Sequence, residues 1–209
     1  MPHKIKTLLE RLAKEKAPGP APTFSVLHVL KALELVAEKS IGRTKLAEEL
    51  KVGQGAVRTI INRLKAAGLI STSKTGCVLT EKGRKLWQEY KKTFSKKAEI
   101  ENYKFVNAKC NFAVLVKNCG HRIGSGIEQR DAAVKAGAKG AVTIVFKNGQ
   151  LRVPSVSMDL ASDFPKTAEH IVKVFQPEEN DVIVIGGADT MDLAEYGAAA
   201  AAWTLLDDC

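Results

Sequence analysis

Three polar residues that can hydrogen-bond to nucleotide bases recur at four-residue intervals along the chain: Gln54, Arg58 and Asn62. Apolar Val57 and Ile61 lie between them with the spacing of the buried face of a helix, so the polar side chains belong to its exposed face. In the major groove of DNA, arginine pairs with guanine, and glutamine or asparagine pairs with adenine. The segment therefore predicts a helix whose exposed face can hydrogen-bond to nucleotide bases, with Asn62 suited to either a base or a phosphate.

Residues around this helix are suited to contacting the phosphate backbone. Arg43, Thr44 and Lys45 open the preceding predicted helix, where free backbone N–H groups already favour phosphate oxygens. Lys74 occupies the tip of a predicted hairpin that is suited to a minor groove or a phosphate. No aspartate or glutamate occurs between Lys51 and Thr80, which span the whole helix and hairpin. The complete predicted DNA-binding set is Arg43, Thr44, Lys45, Gln54, Arg58, Thr59, Asn62, Lys65, Ser73, Lys74, Thr75, Lys82 and Arg84.

The positive charge of the chain is concentrated in its first half. The 209 residues carry a net charge of +9, to which residues 1–100 contribute +12 and residues 101–209 contribute −3. A basic half beside a mildly acidic half indicates that the first half meets a polyanion and the second has another role. With 45% hydrophobic and 26% charged residues, the composition is that of a globular protein and excludes wholesale disorder.

The sequence predicts neither a membrane span nor secretion. No run approaches the roughly 18 apolar residues that a transmembrane helix needs, and the first residues carry charges where a signal peptide has its apolar block. The four cysteines, Cys77, Cys110, Cys119 and Cys209, match no disulfide framework, which favours reduced thiols in the cytoplasm. Cys110 and Cys119 with His121 could supply three metal ligands, but their spacing matches no common zinc module, so we expect no metal and no cofactor.

Helical periodicity and turn signals divide the first half into short elements. A predicted amphipathic helix over residues 4–16 precedes a proline-rich linker, and it either packs on its own domain or forms a dimer contact. The other predicted elements are helices over residues 23–39 and 44–50, a helix ending at Gly68, strands over residues 69–72 and 77–79, and a helix over residues 80–97. Leu86, Tyr90 and Phe94 form a stripe on the last helix, which serves either as a dimer interface or as internal packing.

Three sequence landmarks in this half resemble the winged helix-turn-helix family over residues 23–97: LAEEL in the second helix, RLKAAGLI leading into the wing, and LTEKGR opening the last helix. The resemblance implies a DNA-binding domain with its third helix in the major groove. Gly53 and Gly55 depart from the family pattern, in which a serine or threonine usually caps this helix. Gly55 in the first turn lowers helix stability by up to about 1 kcal/mol, and we expect that it allows close approach to the target.

The second half predicts a different fold. Strands are expected over residues 103–106, 112–117, 141–147, 151–156 and 181–185, and helices over residues 125–136, 166–175 and 191–206. Asn148-Gly149 is a strong hairpin signal. This order predicts an α+β fold, in which an α/β sandwich with a largely antiparallel sheet and helices mainly on one face follows the winged helix-turn-helix. The predicted divisions are residues 1–22 (helix and linker), 23–100 (DNA-binding domain) and 101–209 (sensor or dimerisation domain).

Two glycine-containing loops of the second half are candidates for a small-ligand site. Residues 119–126 and 186–190 each join a predicted strand to a helix, where backbone N–H groups can cradle an anion. Glycines at such turns also occur for purely steric reasons. The candidate ligand-binding residues are His121, Arg122, Ser125, Asp189 and Thr190. No arrangement of catalytic residues is evident from the sequence, so we do not expect an enzyme.

These features together predict a cytoplasmic regulator of transcription that binds double-stranded DNA and forms a homodimer, with a small-molecule effector as a further partner. The overall layout resembles that of archaeal two-domain winged-helix regulators, more loosely in the second half than in the first. Two alternatives stay open: a winged-helix module that binds protein, and an enzyme with a site between the glycine-containing loops. The latter requires His121, Arg122 and Asp189 to converge.

Overall fold

Apolar residues at helical spacing fold residues 26–66 into three helices in the computed structural model. The structure describes residues 2–14, 22–101 and 106–206. They form two compact units, Met1–Tyr90 and Lys91–Cys209. The predicted proline-rich linker and most of the strand predicted at residues 103–106 lie outside the described residues.

The first unit is built around helices that bury their apolar faces against one another. They are α1 (Pro2–Ala13), α2 (Val26–Glu38), α3 (Arg43–Leu50) and α4 (Gln54–Ala66). Leu33, Leu46 and Ile60 contribute fully buried side chains from α2, α3 and α4. Helix α1 contacts α2 and α4 and buries Leu9, so it packs on its own unit, which is the first of its two predicted roles.

A short β-hairpin follows α4. Strand β1 (Ile70–Ser73) pairs with the antiparallel strand β2 (Gly76–Leu79), and Ile41, which connects α2 and α3, forms a bridge with Cys77 of β2. Helix α5 (Glu81–Thr93) comes next. The order of three helices, a hairpin and a further helix after α1 is the one predicted for a winged helix-turn-helix.

The helix predicted to continue to Lys97 ends at Thr93, and strand β3 (Phe94–Ile100) begins at the next residue. Pairing with a distant strand in the second unit overrides the helical pattern of this lysine-rich segment. The boundary predicted at residue 100 therefore falls earlier, at Tyr90. Tyr90 is 3% exposed and Phe94 is 5% exposed, so these two residues of the predicted stripe are buried within the chain, whereas Leu86 is half-buried.

A five-stranded antiparallel sheet organises the second unit, with the strand order β3-β4-β7-β5-β6. Its other elements are β4 (Cys110–Val116), a 3-10 turn (Gly120–Arg122), α6 (Ile127–Lys135), β5 (Gly140–Lys147), β6 (Gln150–Arg152), α7 (Leu160–Asp163), α8 (Pro165–Phe175), β7 (Val182–Ala188) and α9 (Met191–Thr204). The α+β class with an antiparallel sheet and the hairpin at Asn148-Gly149 are confirmed.

Helices cover both faces of this sheet, contrary to the prediction that they lie mainly on one. Ile183 and Ile185 of β7 pack in a core with Ile171 and Phe175 of α8. The alternate residue Gly186 faces α9, because a Cβ atom there would lie 2.6 Å from the backbone nitrogen of Ala198. A strand with every residue buried needs cover on both sides, and β7 has it.

Candidate nucleic-acid interface

Helix α4 presents the predicted base-reading residues along one exposed strip. Gly53 precedes the helix in an extended conformation and provides no side-chain cap. Val57 and Leu64 are fully buried in the unit, and this anchors one side of α4. Gln54, Arg58 and Asn62 are exposed. In the described part of the chain none of these three side chains forms a hydrogen bond or an ion pair, so their polar groups are free to meet a ligand.

The outermost line of α4 is formed by small side chains. At 100° per residue, Gly55, Thr59 and Ala66 lie opposite the buried face, next to Asn62. The Thr59 hydroxyl donates to the carbonyl oxygen of Gly55 at 3.0 Å, which folds it against its own helix. A Cβ atom at Gly55 would meet nothing within 4 Å. The packing of the unit therefore does not require this glycine. The small side chains of Gly55, Thr59 and Ala66, which we call the crest of α4, allow a partner to approach the helix backbone closely.

The start of α3 carries the predicted phosphate contacts, but its three side chains differ. Arg43 and Thr44 are exposed. Lys45 Nζ lies 3.2 Å from Glu48 Oε2 and 3.3 Å from Glu49 Oε1. Hydrogen bonds to Glu48 and then Glu49 raise the pKa of Lys45. Lys45 is thus the one residue of the three for which a phosphate would have to compete with carboxylates of its own helix.

The β1–β2 hairpin, which we call the wing, presents one lysine at its tip, on a turn that side-chain hydrogen bonds stabilise. Ser73 and Thr75 join their hydroxyl groups at 2.8 Å, and the Thr75 N–H donates to Ser73 Oγ at 3.2 Å. These two hydroxyls therefore shape the turn. Lys74 between them is exposed. At the base of the wing, Lys65 Nζ donates to Thr72 Oγ1 at 3.0 Å, which links α4 to β1.

Two predicted phosphate ligands hold the unit together. Lys82 Nζ donates to the carbonyl oxygen of Ala67 at 2.8 Å, where it satisfies an orphan carbonyl at the end of α4. Arg84 Nη1 donates to the carbonyl oxygen of Leu79 at 3.1 Å. Both residues remain exposed, so their charges add to the positive surface while their donors serve the fold.

Arg63 is the basic residue of α4 that points away from the strip. Its Nη1 donates to the carbonyl oxygens of Leu12 at 2.7 Å and Lys14 at 2.8 Å. The guanidinium also lies over the ring of Phe24, 5.2 Å from its centroid. Arg63 therefore fastens α1 to α4.

The two glycine-containing segments of the second unit lie at opposite ends of the sheet. Val116 pairs with Val182 at one end, and Cys110 pairs with Ala188 at the other. The loop after β4 begins at the first end and Asp189 follows β7 at the second, because the two strands are antiparallel. Seven residues of β7 separate the ends by about 20 Å. His121 and Arg122 therefore lie at the other end of the sheet from Asp189, so the convergence that an enzyme site between the loops requires is not found.

Each of the predicted ligand-binding side chains has an internal partner. At the first end, His121 Nδ1 lies 3.0 Å from Asn180 Nδ2, Arg122 Nη1 donates to the carbonyl oxygen of Leu205 at 3.1 Å, and Ser125 Oγ accepts from the N–H of Ile127 at 3.4 Å. At the other end, Thr190 Oγ1 accepts from the N–H of Leu193 at 3.5 Å. Asp189 pairs with Lys139 Nζ at 2.6 Å, and this hydrogen bond lowers the pKa of the Asp189 carboxyl.

A buried ion pair that sequence reasoning missed anchors the first end of the sheet. Asp181, which is 1% exposed, accepts hydrogen bonds from Lys117 Nζ at 2.7 Å, from the N–H of Asn118 at 3.0 Å and from the N–H of Glu178 at 2.8 Å. Every partner is distant or in a loop, so no local motif signals the role of Asp181.

The described residues show neither a metal centre nor a membrane span. Cys110 begins β4 and Cys119 follows its end, so the length of the strand separates two of the three ligands considered with His121. Within residues 2–14, 22–101 and 106–206, no group of three or more His, Cys, Asp and Glu side chains could hold a metal ion. None of the helices in these ranges is long and apolar enough to cross a membrane.

Comparisons with known proteins match both halves of the chain. Residues 26–85 match the model of the PH0730-like N-terminal domain, and residues 107–205 match that of a domain of unknown function, DUF4443. The solved structure of hypothetical protein PH0730 from Pyrococcus horikoshii OT3 is similar, with a TM-score of 0.66 and 28% identity over 88% of this chain and 91% of that chain. No curated protein matches. The chain is thus similar to an archaeal two-domain protein along most of its length.

Proposed function

We propose that this protein is a transcriptional regulator that binds double-stranded DNA in a sequence-specific manner, with α4 as its recognition helix. The observation that carries the proposal is the strip of Gln54, Arg58 and Asn62, which is exposed and has no hydrogen-bonding partner among the described residues. The segment that contains the strip and the wing has no acidic residue. Uncompensated polar groups on a basic surface are what recognition of a polyanion requires.

The dimensions of α4 match those of the major groove. A helix with its side chains is about 10–12 Å wide, and the groove of B-form DNA is about 12 Å wide. Near the start of α4, Gln54 pairs with adenine and Arg58 with guanine. RNA is the poorer target because its deep and narrow major groove does not admit a helix.

The positive groups around α4 hold the helix in register on the duplex. Arg43 and Thr44 at the start of α3, together with Lys74 in the wing, contact phosphates on either side of the groove. The low crest at Gly55 lets the start of α4 approach the base edges. At Lys45, a phosphate would have to compete with Glu48 and Glu49.

We assign dimerisation to the second unit, and a small-molecule effector stays a prediction from the sequence. Helices that read the major groove commonly act in pairs on two-fold sites. Val156 is 75% exposed and Met158 is 72% exposed in the second unit, so apolar side chains are available there for contact with a second copy of the chain.

Selection of bound duplexes from a random pool tests this proposal. The wild-type chain should enrich one sequence, with two half-sites about 10 base pairs apart if it binds as a dimer. Arg58→Ala should relax the preference at one base pair and cost about 1–3 kcal/mol of binding free energy on the selected sequence. Arg130→Ala, which removes an exposed arginine from α6, is the matched control and should leave binding unchanged.

Two outcomes would contradict the proposal. If no sequence is enriched and binding to duplex does not weaken steeply with salt, the chain makes no phosphate contacts and the first unit is a module that binds protein. If Arg58→Ala weakens binding equally on every sequence, Arg58 contacts phosphate and the assignment of base reading to α4 is wrong.

A further inference from the structure

The wing is tied to the short segment that leads into α3. Ser40 Oγ donates to the carbonyl oxygen of Thr75 at 2.8 Å and lies 3.4 Å from Thr75 Oγ1. One residue later, Ile41 and Cys77 exchange backbone hydrogen bonds at 3.2 and 2.8 Å. Residues 40–42 therefore run beside the outer strand of the wing as a strap, with the Ser40 hydroxyl as its last attachment toward the tip.

The strap and the wing touch at the level of the backbone. Gly76 has a φ of +125°, and a Cβ atom there would lie 2.6 Å from the carbonyl carbon and oxygen of Ile41 and 3.0 Å from the nitrogen of Gly42. Only glycine fits both this conformation and this spacing. The backbone contacts thus hold the wing as far as Gly76, and the Ser40 hydroxyl extends the attachment to Thr75, the residue next to Lys74.

This attachment joins the two predicted groups of phosphate ligands. Gly42 is the N-cap of α3, so Arg43 and Thr44 follow the strap directly. Lys74 immediately precedes Thr75, to which Ser40 is bonded. The strands of the wing are only four residues long, and an isolated two-stranded hairpin is marginally stable in water. The position of Lys74 relative to α3 therefore depends on the strap.

We infer that Ser40 is a positioning residue for DNA binding: it fixes the wing against the start of α3, so that Lys74 and Arg43 engage phosphates of the same duplex together. The inference rests on the proposed function. Ser40 acts through Thr75 and need not touch DNA. Because Ser40 holds Lys74 in place, removal of the Ser40 hydroxyl should reduce only the part of the binding free energy that Lys74 contributes.

A double-mutant cycle on the selected duplex, measured at several salt concentrations, tests this inference. Lys74→Ala should lower the salt slope by about one. Ser40→Ala should weaken binding about fivefold, as loss of one hydrogen bond does, and should lower the slope as well. In the Lys74→Ala background, Ser40→Ala should have no further effect. Ser40→Thr, which keeps a hydroxyl, should restore binding.

Ser71→Ala is the matched control, because it removes an exposed serine hydroxyl from β1 of the same wing. It should change neither affinity nor salt slope. Additive losses in the double variant would overturn the inference, because Ser40 would then contact DNA itself or act on the whole unit. An unchanged salt slope in Ser40→Ala would overturn it as well. If the wild-type chain does not bind duplex DNA, both the proposed function and the inference about Ser40 are wrong. If the losses from Ser40→Ala and Lys74→Ala are additive, only the inference about Ser40 is wrong.

Discussion

The exposed strip of α4 and the loops at the two ends of the second sheet are both rich in polar side chains, but they use them differently. Gln54, Arg58 and Asn62 have no partner among the described residues. His121 and Asp189 each pair within the second unit. A polar side chain that already has its partner must lose it before it can bind a ligand. The three unengaged side chains of α4 are therefore better candidates for binding a ligand than the engaged side chains of the loops.

The largest effect on the free energy of unfolding is expected from removing a polar side chain that has partners within the chain, the buried carboxylate of Asp181. Asp181→Ala leaves Lys117 and two backbone N–H groups without the carboxylate they share, and we expect the free energy of unfolding to fall by about 3 kcal/mol. Chemical denaturation measures this change. DNA binding by the folded fraction should stay at the wild-type level, because the strip on α4 is untouched.

Asp131→Ala serves as the control for that experiment, since Asp131 is an exposed aspartate on α6. It should leave the denaturation midpoint in place. Stability equal to that of wild type in Asp181→Ala would show that the buried carboxylate contributes nothing net, and the contrast between engaged and unengaged groups would lose its energetic basis.

A single methyl group on α4 should change stability and binding in opposite directions. Gly55→Ala adds a better helix former where a Cβ atom meets nothing within 4 Å, so the free energy of unfolding should rise by up to about 1 kcal/mol. The same methyl raises the crest of α4 and should weaken DNA binding. Thermal denaturation and titration with the selected duplex measure the two effects.

Gly124→Ala adds a methyl in open space in a loop of the second unit and should leave DNA binding unchanged. A Gly55→Ala variant that is more stable and binds DNA as tightly as wild type would refute close approach at this position. Neither the stability of the first unit nor its DNA binding would then require a glycine at position 55.

The smallest expected effect is a loss of stability in acid that originates in α2. The N–H of Ser25 donates to His28 Nδ1 at 3.0 Å, and burial lowers the pKa of His28 below its usual 6.5. As pH falls through 6.5, unfolded chains bind a proton at His28 before folded ones do, so stability decreases and the contribution is lost below the folded pKa. The change should be under about 1 kcal/mol, the scale of one helix cap.

His28→Gln isolates this contribution, because glutamine keeps an acceptor that does not titrate. The difference in unfolding free energy between wild type and His28→Gln should change between neutral pH and about pH 5 in the direction of a weaker wild type. A difference that stays constant over this interval would mean that His28 does not titrate differently in the folded and unfolded states.

Local patterns were sufficient for the first unit. Val57, Ile61 and Leu64 repeat at helical spacing, and this repeat alone places Gln54, Arg58 and Asn62 on the opposite face. The contacts that hold the wing in place were not visible in the same way. Ser40 and Thr75 are 35 residues apart, and neither belongs to a sequence pattern that indicates the other.

Nonlocal pairing accounts for the errors in the second unit. Residues 94–97 were predicted to end a helix but instead begin strand β3, because β4 offers them a partner. Gly186 and Gly187 were predicted to lie in a loop, yet they belong to β7. Gly186 is a strand residue without a side chain because α9 passes so close to it. The uniform burial of β7, which the sequence does indicate, was the available sign that helices lie on both sides.

The two helical layers of the second unit should differ in how they accept substitution. The α8 layer is filled by large branched and aromatic side chains, which can exchange shape for shape at nearly constant volume. Against α9 the sheet presents Gly186, where a Cβ atom would lie 2.6 Å from the backbone nitrogen of Ala198, and on α9 itself a Cβ atom at Gly197 would overlap the Cβ atom of Ala138. The α8 layer should therefore accept substitutions that keep its total volume, whereas the α9 layer should accept no added atom at Gly186 or Gly197.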